Sequence, residues 1–184
     1  MHNNRAQGHN YEREKRLEFR EIGFENCETC RYSSREKDDN KIDLDYTDPF
    51  DVQLKYKKKT PSWTELLYEQ MPQDNNNWNL LIFKRNTGRG PKKREYAAMK
   101  YEGWQELYEI YQEEMPGFPA EFNEIYYDKG RVRLLDKKVY KQGNPKLFPN
   151  VVRYDIEDKK LDMALTKWKE MKILIKKIKR ENII

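Results

Sequence analysis

Apolar residues recur along this chain at two periods, and the switches between them outline its elements. Over residues 10–22, Tyr11, Leu17 and Ile22 stand among charged residues and Gly23 supplies a stop, which predicts a helix. Residues 24–31 read as a first strand, and the polar run 32–40 as a loop. Residues 41–46 and 50–57 read as the two strands of a hairpin that turns through Thr47-Asp48-Pro49. Ser62 and Glu65 have capping-box spacing ahead of Leu66, Leu67 and Met71, so a helix is expected that ends before Pro72. Residues 78–84 are a strand with the apolar centre Leu80-Leu81-Ile82-Phe83, and residues 95–100 are another. Residues 101–114 form a helical pattern with Trp104, Leu107, Tyr108 and Tyr111 on one side. This order of elements predicts a mixed α/β sheet with helices on its faces.

Beyond residue 114 the pattern loosens. Pro116, Pro119, Pro145 and Pro149 punctuate a stretch in which only 122–127 and 132–135 suggest short elements. Regularity returns over residues 158–180. Leu161, Trp168 and Ile175 recur at heptad spacing, as do Ala164, Met171 and Ile178, so a long helix with an a/d seam is expected. Its other sides carry Lys160, Lys167, Lys169, Lys172, Lys176, Lys177, Lys179 and Arg180. The seam serves either to pack on the domain or to pair with a partner chain. The expected organisation is a domain over 1–114, an irregular connecting segment over 115–157 and a basic amphipathic helix over 158–184.

The bulk numbers narrow this picture modestly. The chain has 184 residues, 38% charged and 36% hydrophobic, with a net charge of +5. That suits one domain with a modest core and a densely charged surface. Aromatic residues at 13% argue against wholesale disorder. The mild basic excess favours polyanionic partners. No apolar run reaches membrane-spanning length and the first residues lack a signal-peptide core, so an intracellular, cytoplasmic protein with reduced thiols is expected. Cys27 and Cys30 find no second cysteine pair, and His2 and His9 fall in an N-terminus expected to be loose, so a zinc site is not expected.

Candidate chemistry concentrates in the hairpin. Asp43 lies on its first strand, and Gln53-Leu54-Lys55 follows on the second. Alternation puts Gln53 and Lys55 on one face and Val52, Leu54 and Tyr56 on the other. An acid, an amide oxygen and a lysine gathered this way can hold a divalent metal and a water beside a phosphodiester. Asp51 shares the face of Gln53 and Lys55 and is a candidate helper, because Gln53 brings no charge. Two polar and basic stretches are candidates for holding nucleic acid. One is Arg31, Ser33, Ser34 and Arg35; the other is Lys84, Arg85, Arg89, Lys92, Lys93 and Arg94 around Gly88 and Gly90.

In order, Gly8, Tyr11-Glu12, Leu17, Gly23-Phe24, Arg31 with Ser33 and Ser34, Ile42-Asp43 and Gln53-x-Lys55 resemble the PD-(D/E)xK nuclease superfamily. Within it the pattern is most similar to Holliday-junction resolvases of archaeal and phage type. The resemblance runs from about Gly8 to Tyr111, and no part of it reaches residues 116–184. It implies a restriction-endonuclease-like mixed central sheet flanked by helices, here with a C-terminal helical extension. It implies a Mg2+- or Mn2+-dependent DNA endonuclease, in which Asp43, Gln53, the Leu54 carbonyl and Glu12 hold metal and Lys55 orients the attacking water. Branched or four-way DNA, a homodimer, and a phage or mobile-element origin acting in the host cytoplasm are further implications. The departure is Gln53, where the usual residue is glutamate. The rival expectations are a restriction-like or repair nuclease of the same superfamily, and a non-catalytic nucleic-acid-binding or phage structural protein that keeps the fold.

Overall fold

The computed structural model describes residues 4–58, 62–74, 76–85, 95–114, 152–156 and 161–180. Their strands form one seven-stranded mixed sheet in the order β1-β2-β3-β4-β5-β7-β6. The strands are β1 (Glu28–Thr29), β2 (Leu44–Asp45), β3 (Phe50–Lys57), β4 (Trp78–Arg85), β5 (Glu95–Lys100), β6 (Val152–Ile156) and β7 (Leu161–Lys167). The helices are α1 (Asn4–Glu21), α2 (Cys30–Ser33), α3 (Arg35–Asp39), α4 (Trp63–Glu65), α5 (Tyr101–Glu114) and α6 (Trp168–Arg180). A π-helical turn, Leu66–Gln70, continues α4.

Only β3 and β4 are parallel, with Phe50 beside Trp78 and Lys55 beside Phe83; the other neighbours are antiparallel. A parallel pair needs a crossover, and the segment bearing α4 provides it. Strand alternation divides the core into two layers. Val52, Leu54, Leu80, Ile82, Ala97, Met99 and Ala164 face α1, α5 and α6. Leu81, Phe83, Tyr96, Ala98 and Leu165 face Trp63, Leu66, Leu67 and Met71 of α4 and its extension. The result is a helix–sheet–helix sandwich.

Several expectations change. The predicted first strand shrinks to Glu28–Thr29, and the expected loop holds α2 and α3. Ser34 explains the second of these helices, since its hydroxyl accepts the Lys37 N–H as an N-cap. Ser62 makes no such cap, so the capping-box reading of α4 fails. In α1 the buried face is Tyr11, Lys15 and Phe19, continued by Ile22 just past its end, and Leu17 is exposed. The helix ends at Gly23, whose φ of 115° suits glycine, and a Cβ there would come within 2.8 Å of Lys179 Cγ.

The largest correction concerns the C-terminal part. Residues 161–167 are not helix but strand β7, paired with both β5 and β6. Leu161, Met163 and Leu165 already alternate with Asp162 and Thr166, a period of two hidden beneath the heptad spacing. β6 likewise lies in the segment expected to be irregular. The sheet runs unbroken through β5, β7 and β6, so neither a boundary after residue 114 nor a separate helix over 158–184 describes it. The seam residues Trp168, Met171, Ile175 and Ile178 are buried in the chain's own core, with the Trp168 ring stacked on Phe19 at 5.5 Å. The seam therefore does not serve a partner chain.

Candidate active site at the hairpin edge

β2 pairs with β3 through Leu44 and Val52, which sets Asp43 opposite Gln53. The Asp43 N–H donates to the Val52 carbonyl at 2.7 Å, and the Asp43 carbonyl accepts from the Cys30 N–H at 2.9 Å. The backbone of Asp43 is thus fixed on both sides. Its carboxylate Oδ2 accepts the Leu54 N–H at 2.6 Å and the Gln53 side-chain amide. A strand residue's N–H and C=O point to the same side. The Leu54 carbonyl therefore aims at the open edge of β3 beside the Asp43 carboxylate.

Gln53 is 1% exposed, and its Oε1 has no hydrogen-bond partner. An orphaned buried acceptor costs roughly 1–3 kcal/mol, and a ligand at Gln53 Oε1 would offset that cost. The oxygens available beside one another in sequence and register are the Asp43 carboxylate, the Gln53 amide oxygen and the Leu54 carbonyl, although Asp43 Oδ2 already accepts from the Gln53 amide and the Leu54 N–H. Oxygen ligands are the donor chemistry of hard divalent cations.

Glu12 and Lys55 lie within electrostatic reach of Asp43. Burial pushes the Asp43 carboxyl up to about 6, against the pull of the Leu54 N–H and Lys55, while Glu12 raises it further. Burial also raises Glu12, with Arg31 opposing and Asp38 assisting. Burial lowers Lys55, which Asp43 opposes and Lys57 and Lys41 reinforce. The two acids are raised and the lysine is lowered, a pattern found at functional sites.

The remaining predicted residues divide. Arg31 does reach the site, with Nη2 3.6 Å from Glu12 Oε1. The Ser33 hydroxyl is engaged within the protein, donating to the Thr29 carbonyl at 3.3 Å, and Ser34 caps α3; neither is placed as a phosphate ligand. Arg35 is exposed on α3, 3.9 Å from Asp39. Asp51 accepts from the Asn77 amide at 3.0 Å, toward the turn end of the hairpin, so it does not join Asp43 as a helper. Arg85 ends β4 beside Lys57, at the Lys55 end of the sheet. Arg89, Lys92, Lys93 and Arg94 lie outside the described residues, as do the short elements expected over 122–127 and 132–135.

One site residue escaped the sequence reading. α1 begins at Asn4, so His9 is helical, and its Nε2 meets Arg31 Nη1. Burial, then Arg31, Arg5 and Arg13, hold the imidazole below its ordinary range. The available signal was position: His9 is three residues before Glu12, on the same helix face.

Two other clusters carry no such chemistry. Cys27 and Cys30 are free and buried, and burial pushes each thiol up to about 12. Glu14, Glu18 and Glu95 converge, but lysines hold them together. Lys15 lies 2.7 Å from Glu18 and 3.0 Å from Glu95, Lys84 2.5 Å from Glu14, and Lys172 3.1 Å from Glu18. Among the described residues no helix is long and apolar enough to cross a membrane. Comparison with protein-family models, with curated proteins and with solved structures gives no match.

Proposed function

We propose that this chain is a divalent-metal-dependent DNA endonuclease of restriction-endonuclease-like fold, acting on branched DNA in the manner of a Holliday-junction resolvase. The observation that carries this reading is the edge of β3, where the half-buried Asp43 carboxylate binds Gln53, whose amide oxygen is orphaned, within electrostatic reach of Lys55. Glu12, on α1, lies within electrostatic reach of Asp43, which supports the reading.

Asp43, Gln53, the Leu54 carbonyl and Glu12 would hold Mg2+ or Mn2+. When bound, such an ion neutralises phosphate charge and makes water a better nucleophile at neutral pH. The chain's own groups do the rest. Lys55 orients the attacking water and stabilises charge developing on the phosphate. Arg31, held by Glu12 and His9, would bind the non-bridging phosphate oxygens. Exposed Arg13 acts on Glu12, and exposed Lys41 and Lys57 act on Lys55, so positive charge borders the site. Symmetric incision of a four-way junction calls for two such sites, hence a homodimer.

The test is Mg2+-dependent cleavage of four-way, flap and linear DNA by the wild type, Lys55→Ala and Asp43→Asn. Preference for the four-way junction supports the resolvase reading, and preference for flap or linear DNA supports a repair or restriction-like nuclease. One observation favours a second reading, a non-catalytic DNA-binding protein. Gln53 already donates its amide to Asp43, so the pair is partly satisfied without metal. DNA binding without cleavage in either metal would select that reading.

A further inference from the structure

The ladder between β4 and β5 ends at Leu81 and Ala98, short of Asn79 and Lys100. A cavity of about 340 Å³ opens where the two strands part, and it shares no residue with the Asp43 site. Its volume lies at the lower end of the range for small-molecule sites. Pro72, Gln73 and Asn77 wall one side. The first turns of α5 wall the other, with Gly103 so close to Trp78 that a Cβ would come within 3.0 Å of its Cδ1.

The donors of this wall are directed at the protein itself. Gln73 Nε2 donates to the Leu67 and Met71 carbonyls, and Asn77 Nδ2 to Asp48 and Asp51. Asn79 Nδ2 donates to the Pro72 carbonyl at 2.6 Å, and Trp78 Nε1 to Glu106 at 2.8 Å. Lys100 Nζ donates to Gln73 Oε1 and lies over the Tyr68 ring. What the cavity offers a ligand is therefore oxygen. Asn79 is 6% exposed and its Oδ1 has no hydrogen-bond partner, which costs roughly 1–3 kcal/mol in a buried acceptor. Glu102 and Glu106 also line the cavity, both exposed and one helical turn apart, where like charges weaken a helix.

We propose that this cavity binds a small organic cation rich in N–H donors, a primary alkylamine of the polyamine class. An ammonium group has three donors and no acceptor, which suits a wall whose own donors are engaged. One N–H satisfies Asn79 Oδ1, and the positive charge relieves the repulsion between Glu102 and Glu106. The chain as a whole carries +5 and repels cations, so local contacts rather than bulk attraction account for the binding. The site stands independently of the nuclease reading.

The experiment is isothermal titration calorimetry of the full chain with putrescine at constant ionic strength, beside its fully N-methylated analogue, which keeps both charges and has no N–H. Putrescine should bind with a Kd of about 1 mM or tighter, and the analogue at least about tenfold more weakly. Glu102→Gln and Glu106→Gln should each weaken putrescine by about threefold, and Asn79→Leu by about tenfold. The two glutamates are exposed, so their variants keep the result readable if Asn79→Leu fails to fold. Asp43→Asn should bind putrescine as the wild type does. No binding up to about 10 mM, equal binding of the methylated analogue, or unchanged affinity in both glutamate variants overturns the site. Loss of binding in Asp43→Asn overturns it too, by placing the cation at the other site.

Discussion

Asp43 is expected to destabilise the metal-free protein at neutral pH, so Asp43→Asn should make it more stable while abolishing its chemistry. Burial raises this carboxyl from 3.8 to about 6. Keeping it ionised in the fold at pH 7 therefore costs up to about 3 kcal/mol. Asp43 retains partial exposure, so about 2 kcal/mol is the working figure. The sign follows from proton linkage. Between the two values the folded protein binds the proton that the unfolded chain has released, so stability falls as pH rises through this window. Asparagine keeps an oxygen to accept the Leu54 N–H and removes the charge. Thermal unfolding in a chelating buffer should show Asp43→Asn melting several degrees above wild type at pH 7.5 and level with it near pH 4. Added Mg2+ should raise the wild-type melting point and leave the variant unmoved. A variant less stable than wild type at pH 7.5, or a gain that persists at pH 4, would refute the reasoning.

Gln53→Glu supplies the missing charge and should tighten metal binding, visible as a lower Mg2+ concentration for half-maximal thermal stabilisation; unchanged dependence would argue against Gln53 as a ligand. Lys15 is 0% exposed and binds Glu18 and Glu95, so Lys15→Met should cost roughly 1.5–3 kcal/mol in urea unfolding by removing charged hydrogen bonds from these half-buried acids, which keep Lys172 and Lys84. Trp168→Ala should cost roughly 3–5 kcal/mol in the same assay, because α6 is part of the main core; a neutral effect would restore the reading of α6 as an appendage.

The pocket was legible because its spacing is local. A hairpin with a three-residue turn brings Asp43 opposite Gln53 by register alone, and alternation sends Lys55 to the same face. The two core layers followed from the same alternation in β3, β4 and β5. What failed was settled by tertiary competition. The heptad spacing through Leu161 and Trp168 fits a helix, but the edge of β5 needed a partner strand and took residues 161–167. Leu17 looked like a core residue because nothing in the sequence announces that Lys15 is buried among acids instead. His9 was passed over because α1 starts earlier than its apolar residues indicate. The roles of Ser33 and Ser34 turned on hydrogen bonds within α2 and α3, helices too short to show a period.

The most direct test of the central claim is single-turnover cleavage of a labelled four-way junction in Mg2+, comparing wild type with Lys55→Ala. The account predicts metal-dependent incision by the wild type and a loss of about a hundredfold or more in the variant. Equal cleavage by both proteins, or none by the wild type in Mg2+ or Mn2+, would contradict it.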